Sequence, residues 1–250
     1  RRRHSFPTRR SSDLSPLRRL FDYLPPINNT IEPAAGMRIL VPFGRRSLVG
    51  IIIEVTDHSR LEISKLKHAE QILDPTALFT PELMQLFIWS SQYYQYPLGM
   101  LFETALPAWL RKQKDINFPK AKDIKQESIA PLTLNNAQQQ AVTAVCSHFG
   151  TFKPFLLDGI TGSGKTEVYM QLIAHAIANN LQTLILVPEI NLTPQTLAHF
   201  QQRFGVPIAV LHSQVTEKNR AIAWMHAQTG YAPIILGTRL AAFTPLQRPG

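Results

Sequence analysis

The rhythm of apolar and polar positions changes three times along the chain. Over residues 38–55, RILVPF and LVGIIIEV are rich in β-branched and aliphatic residues and flank Gly44-Arg45-Arg46-Ser47. That pattern predicts two paired strands around a turn. Pro42 brings no amide hydrogen, so it belongs at an edge or a bulge. From residue 80 the period lengthens. Thr80 is a good N-cap, Pro81 suits the first helical position, and Phe79 and Met84 are spaced as a hydrophobic staple. Leu83, Leu86 and Phe87 mark the apolar face of this helix. Pro97 and Gly99 interrupt it, and a second helical stretch runs to about Arg111. Residues 112–133 are polar and Lys-rich with Pro119 and Pro131, the composition of a linker.

Beyond Leu134 helices and strands alternate. A helix over about 136–148 precedes the strand PFLLD (154–158). Helix 165–179, strand 183–187, helix 194–204, strand 207–211, helix 217–228 and strand 233–237 follow. Strands separated by helices of this length predict βαβ units and a parallel sheet. The chain thus divides into residues 15–111, a small β-rich domain with helices, and 134–250, an α/β lobe.

Composition narrows the class. Apolar residues make up 44% of the 250, enough for a real core, and no apolar run approaches the ~20 residues of a membrane-spanning helix. A soluble, cytoplasmic protein is expected. The formal charge is +9, but residues 1–14 hold five arginines and one aspartate. The remaining excess is mild and compatible with nucleic acid. SFPTRRSSDL within that tail resembles a translated sequencing adapter, so residues 1–14 are set aside as non-native; a basic nucleic-acid-binding arm is the other reading. The single cysteine, Cys146, forms no internal disulfide and no cysteine-based zinc cluster, and reads as a small buried hydrophobe in a reducing compartment. The eight histidines show no metal-ligand spacing. Phe87, Trp89, Tyr93, Tyr94 and Tyr96 look like a base-stacking ladder, but helical spacing favours the core.

The strongest chemical signal is Gly159-Ile160-Thr161-Gly162-Ser163-Gly164-Lys165-Thr166. It satisfies G-x-x-x-x-G-K-[ST] between a predicted strand and a predicted helix. Glycines let the backbone curl so that its amides face phosphate oxygens, and the helix start adds partial positive charge. Lys165 is expected to reach the β- and γ-phosphates of ATP, and the Thr166 hydroxyl to ligate Mg²⁺.

The flanking segments carry a family resemblance. DGITGSGKTEVYMQLI, LVPEINLTPQTLAHFQQRFG, VLHS (210–213) and ILGTRLAAFTPL (235–246) are similar, in order and spacing, to the first RecA-like lobe of the PriA family of replication-restart helicases. The resemblance implies that Thr193, an N-cap ahead of Pro194, and Arg239, in Gly237-Thr238-Arg239, lie near a tracked DNA strand. It also implies that Gln138 reads the adenine edge, its amide offering both donor and acceptor. Gln138, Gln139 and Gln140 are adjacent, so this register is open by one.

The front of the chain resembles the same family. LRRLFDYLPP (17–26), Gly36-Met37-Arg38 and VPFGRRSLVGIIIEV match the domain that captures a DNA 3′ end. By motif, Phe21, Asp22, Gly44 and Lys67 are the matching positions. Phe21 is suited to stack on the terminal base, Asp22 to accept from the 3′-hydroxyl, Gly44 to admit backbone, and Lys67 to hold phosphate.

The implied function is the N-terminal part of an ATP-dependent 3′→5′ DNA helicase. It would recognise stalled or collapsed forks and initiate primosome assembly, with single-stranded-DNA-binding protein and primosome components as partners. Carboxylates of the DEEH type, a second lobe and a zinc-binding insertion are expected beyond Gly250, so this stretch alone is expected to be inactive. A winged-helix domain usual in the family has no room in 112–133. Two other readings stay open: a non-catalytic module binding DNA 3′ ends, and another P-loop DNA translocase.

Overall fold

A computed structural model of the chain describes residues 8–10, 20–28, 30–59, 61–112, 130–188 and 193–250. It separates into two compact units, residues 1–118 and 119–250.

In the first unit, β3 (Arg38–Phe43) and β4 (Arg46–Val55) form the expected hairpin. Its turn is tighter than the sequence indicates. Phe43 pairs with Arg46, so only Gly44 and Arg45 form the loop while Arg46 and Ser47 lie in β4. Gly44 has φ +61°, the left-handed geometry that two-residue hairpins require and that glycine adopts freely. β5 (Gln71–Ile72) pairs with β3 only at Ile39 and Leu40. Pro42 therefore sits where β3 has one ladder partner, as its missing amide demands. On the other side of β4 lies β1 (Thr8–Arg10), which also pairs with β2 (Phe21–Tyr23). Three residues of the tail thus complete an antiparallel five-stranded sheet in the order β2-β1-β4-β3-β5. One face buries Tyr23, Met37, Ile39, Val41, Ile52, Ala69 and Ile72.

Helix α1 (Pro81–Tyr93) starts at the predicted cap, with the Leu83 amide donating to Thr80 Oγ1 at 3.3 Å. Its buried stripe is Met84, Phe87 and Ser90, one position away from the expected Leu83 and Leu86. Helix α2 (Leu98–Ala105) ends six residues before the predicted Arg111. Phe79, Phe87 and Phe102 close this core with ring centroids 4.5–5.5 Å apart. A buried ion pair pins the sheet: Arg38 Nη2 donates to Asp74 Oδ1 at 2.6 Å, and Arg38 Nη1 to the Leu110 carbonyl at 2.6 Å.

The second unit contains α3 (Asn136–Cys146), α4 (Lys165–Ala178), β6 (Thr183–Leu186), α5 (Pro194–Phe204), β7 (Ile208–Leu211), α6 (Glu217–Gln228) and β8 (Ile234–Gly237). β8 lies between β6 and β7, and all three are parallel. Ile234, Ile235 and Leu236 are fully buried, as a strand covered on both faces must be. Met170, Ile173, Phe200, Ile234 and Leu236 form the core between α4, α5 and the sheet.

The predicted strand 154–158 is absent: these residues carry no ladder, and Leu156 is 93% exposed. A strand exists only where neighbouring backbone answers its hydrogen bonds, and none of the described residues does so here. Residues 248–250 reach the outer edge of β6, where the Gln182 amide donates to the Arg248 carbonyl and Gly250 to that of Gln182. Cys146 is half-buried, and burial raises its thiol pKa. The aromatic run also departs from the core reading. Phe87 is buried, but Trp89, Tyr93 and Tyr94 are half to two-thirds exposed, because they lie off the Met84–Phe87–Ser90 stripe. Trp89 and Tyr93 stack on each other with centroids 4.9 Å apart.

Candidate functional site

The first unit holds a cavity of 440 Å³ lined by Leu20, Phe21, Asp22, Tyr23, Pro42, Phe43, Gly44, Leu61, Lys65, Leu66 and Lys67. All four residues picked from the sequence for the DNA-end pocket lie on its wall. They come from three places. β2 supplies Phe21 and Asp22, the β3–β4 turn supplies Gly44, and the segment before β5 supplies Lys67. Backbone bonds clamp that segment to β2: the Leu24 amide donates to the Lys67 carbonyl at 2.9 Å, and Ala69 to that of Leu24 at 2.8 Å.

Each wall has its own chemistry. Phe21 meets Phe43 edge-on, centroids 5.3 Å apart at 87°, which fixes the Phe21 ring plane. Nothing lies within 4 Å of where a Gly44 Cβ would stand, so the turn opens directly onto the cavity. Asp22 Oδ2 accepts from Ser59 Oγ at 2.6 Å. Lys65, which the sequence did not single out, adds a second ammonium, paired with Glu62 Oε2 at 3.0 Å. Phe43 follows from VPFG once the hairpin register is known. Ser59 carries no local signal, since its partner is 37 residues away.

In the second unit residues 159–166 have the expected glycine turns and helix start, without the predicted strand before them. Gly162 and Gly164 have φ of +84° and +81°, and α4 begins at Lys165 with Gly164 as its N-cap. Lys165 Nζ donates to the carbonyls of Gly159 and Ile160, the latter at 2.9 Å. The Lys165 ammonium is thus bonded to carbonyls of the loop itself. Thr166 is exposed at the helix start.

Gln138 and Gln139, neighbours in sequence, send their side chains different ways. Gln138 lies against the loop, its Nε2 3.4 Å from the carbonyls of Ser163 and Gly164. Its backbone amide and its Oε1 close a capping box with Asn135, both at 2.9 Å. Gln139 points instead along its own helix to Thr143. The same Gln138 side chain thus caps α3 and touches the loop.

Thr193 caps α5, accepting from the Thr196 amide at 3.2 Å. Arg239 lines a 540 Å³ cavity with Leu186, Val187, Pro188, Thr238 and Leu240. That cavity lies at the carboxyl ends of β6 and β8, where open α/β sheets take ligands. Thr193 is not on its wall, and residues 189–192 of the LVPEINLT segment fall outside the described residues.

A family model for the PriA 3′ DNA-binding domain matches residues 13–107. A second, for the res subunit of type III restriction enzymes, matches residues 131–247. Among curated proteins, the replication restart protein PriA of Haemophilus influenzae is 32% identical over 94% of this chain and 42% of its own length. That of Treponema pallidum is 30% identical over 94% of this chain and 36% of its own. That of Chlamydia trachomatis is 43% identical over 48% of this chain and 16% of its own. The chain spans well under half the length of these relatives. The match to the PriA 3′ DNA-binding domain, the helicase-type model behind it and the PriA relatives together place the chain in the PriA family of replication restart proteins.

Proposed function

We propose that the first unit captures the 3′ end of a DNA strand, and that the second is the nucleotide-binding lobe of an ATP-dependent 3′→5′ helicase. The observation that carries this reading is the convergence of Phe21, Asp22, Gly44 and Lys67 on one cavity. Its ingredients match a terminal nucleotide: an aromatic edge for the base, a carboxylate for a hydroxyl donor, an open turn, and ammonium groups for phosphate. Internal nucleotides have no free 3′-hydroxyl, so a carboxylate acceptor distinguishes an end from the interior.

ATP with Mg²⁺ would supply the free energy of phosphoryl transfer. The loop amides and Lys165 fit a polyphosphate, and Lys165 would exchange the carbonyls of Gly159 and Ile160 for phosphate oxygens. Among the described residues no cluster of three His, Cys, Asp or Glu is arranged to hold a metal. The Thr166 hydroxyl would be one ligand of the phosphate-bound magnesium. Gln138 would present its amide beside the loop, and Thr193 and Arg239 would face the tracked strand. In the whole protein this machinery would restart stalled forks in the bacterial cytoplasm, alongside single-stranded-DNA-binding protein and primosome components. No helix of the described residues is long and apolar enough to cross a membrane.

The short joint at 112–133 is proposed as native. Support comes from the Treponema pallidum alignment, whose 239 positions barely exceed the part of this chain they cover, whereas the Haemophilus influenzae alignment runs over 309 positions and that relative holds a longer stretch.

The test is binding of a labelled single strand with a free 3′-hydroxyl against the same strand ending in a 2′,3′-dideoxynucleotide. The free end should bind more tightly in the wild-type chain and lose its advantage in Asp22→Ala. Equal affinity for both ends in the wild type sinks the proposal.

A further inference from the structure

The geometry points to Ser59 as a positioning residue that sets the specificity of the DNA-end cavity by holding the Asp22 carboxylate in its receptive orientation; this rests on the reading of Asp22 as acceptor of the 3′-hydroxyl. The direction of the Ser59 bond follows from its neighbours. Ser59 Oγ accepts from the Leu61 amide at 3.1 Å, so its own hydrogen is free to be donated. An ionised carboxylate has no hydrogen to give, so the 2.6 Å contact is Ser59 donating to Asp22 Oδ2. That length is typical of a charge-assisted hydroxyl–carboxylate bond.

Two consequences follow. The final torsion of an aspartate is broad and roughly two-fold, so an untethered carboxylate turns easily. The Ser59 bond to Oδ2 contributes to fixing its plane, and a carboxylate offers about four acceptor positions. The same hydroxyl also fastens a wall. The segment after β4 is folded by two successive side-chain turns, His58 donating to Thr56 Oγ1 at 3.2 Å and Leu61 to Ser59 Oγ. Leu61 lines the cavity that Asp22 lines from β2. One serine thus joins the carboxylate and the loop that borders it, across 37 residues of sequence.

The experiment measures, by fluorescence anisotropy on this chain, affinity for 5′-labelled single strands ending in a 3′-hydroxyl or a dideoxynucleotide. Ser59→Ala should reduce the preference for the free hydroxyl by roughly 3- to 10-fold, the weight of one hydrogen bond. Affinity for the blocked end should stay unchanged. Ser59→Thr keeps the hydroxyl and should restore the preference. In the Asp22→Ala background Ser59→Ala should change nothing further. If Ser59→Ala keeps the full preference, or weakens both ends equally, the inference is overturned while the Asp22 reading stands. If the wild type shows no preference, the underlying reading falls.

Discussion

The Glu167 carboxylate, one residue beyond Thr166, accepts from Arg203 Nη2 at 2.8 Å, joining the first turn of α4 to the last turn of α5. Both side chains are almost buried, and Gln171 Nε2 adds a second contact to the same carboxylate at 3.0 Å. The helix that starts at the phosphate loop is therefore bonded to the helix that Thr193 caps. Breaking one partner of a buried pair leaves the other charge uncompensated. Arg203→Ala should lower unfolding free energy by about 3 kcal/mol, at the low end for buried pairs, read from urea unfolding. A loss below about 0.5 kcal/mol would class the pair with exposed bridges.

Gln182 is a second hinge of stability. It is fully buried at the start of β6, and its amide is saturated. Nε2 donates to the carbonyls of Ala227 and Ala232 at 2.9 and 2.8 Å, and Oε1 accepts from the amides of Gln247 and Arg248 at 2.7 and 3.0 Å. Gln182→Glu turns both donors into an acceptor facing two carbonyls. It should cost about 3 kcal/mol or more at neutral pH, and markedly less in acid, where a protonated carboxyl restores one donor. Equal destabilisation at both pH values would contradict the charge argument.

These two contacts show which parts of the molecule were legible beforehand. The hairpin of 38–55, the Thr80-Pro81 and Thr193-Pro194 helix starts and the phosphate loop are written in short windows, because caps, turns and glycine geometry are local. The strand at 154–158 was not, since strand formation depends on what lies alongside. Nor was the exposure of Trp89 and Tyr93: spacing shows that residues share a helix, but not which face meets the core. Gln182, Ser59 and the Glu167–Arg203 pair are polar residues of ordinary surroundings whose partners lie 36 to 66 residues away. In the cavity, family motif located Phe21, Asp22, Gly44 and Lys67, and folding added Phe43, Leu61 and Lys65.

Gly164 is constrained twice. Its φ of +81° disfavours any other residue, and an added Cβ would stand 2.3 Å from Gln138 Nε2. Gly164→Ala should cost about 1–2 kcal/mol from backbone strain, plus the displacement of Gln138. Gln138→Ala removes the obstacle but not the strain. The double variant should therefore be less destabilised than the two single effects added together. Simple additivity in urea unfolding would show that the Gln138 amide does not press on the loop.

Acid should weaken the fold through His226. Burial lowers the pKa of His226, which packs against Tyr231 with centroids 4.7 Å apart. The unfolded chain then binds the proton more readily than the folded one. The contribution is complete above the ordinary value of 6.5 and is lost as pH falls through the lower folded value. Unfolding free energy should drop as pH falls below the ordinary value of 6.5, and His226→Gln should flatten that drop. Glu82, held below its ordinary value by its own backbone amide and the Thr80 hydroxyl, follows the same sign at lower pH and does not overlap this window. An unchanged slope in His226→Gln would assign the acid sensitivity elsewhere.

Lys165→Ala separates the two halves of the proposal. Lys165 lies in the second compact unit and the Asp22 cavity in the first. Isothermal titration of this chain with Mg·ATP should give binding that Lys165→Ala removes, because the loop amides alone lack the cation that meets the outer phosphates. Affinity for a free 3′-hydroxyl strand should stay within about twofold of wild type. Loss of both together would mean that nucleotide and DNA end are read by one coupled structure, and would undo the division of labour drawn from Asp22 and Lys165.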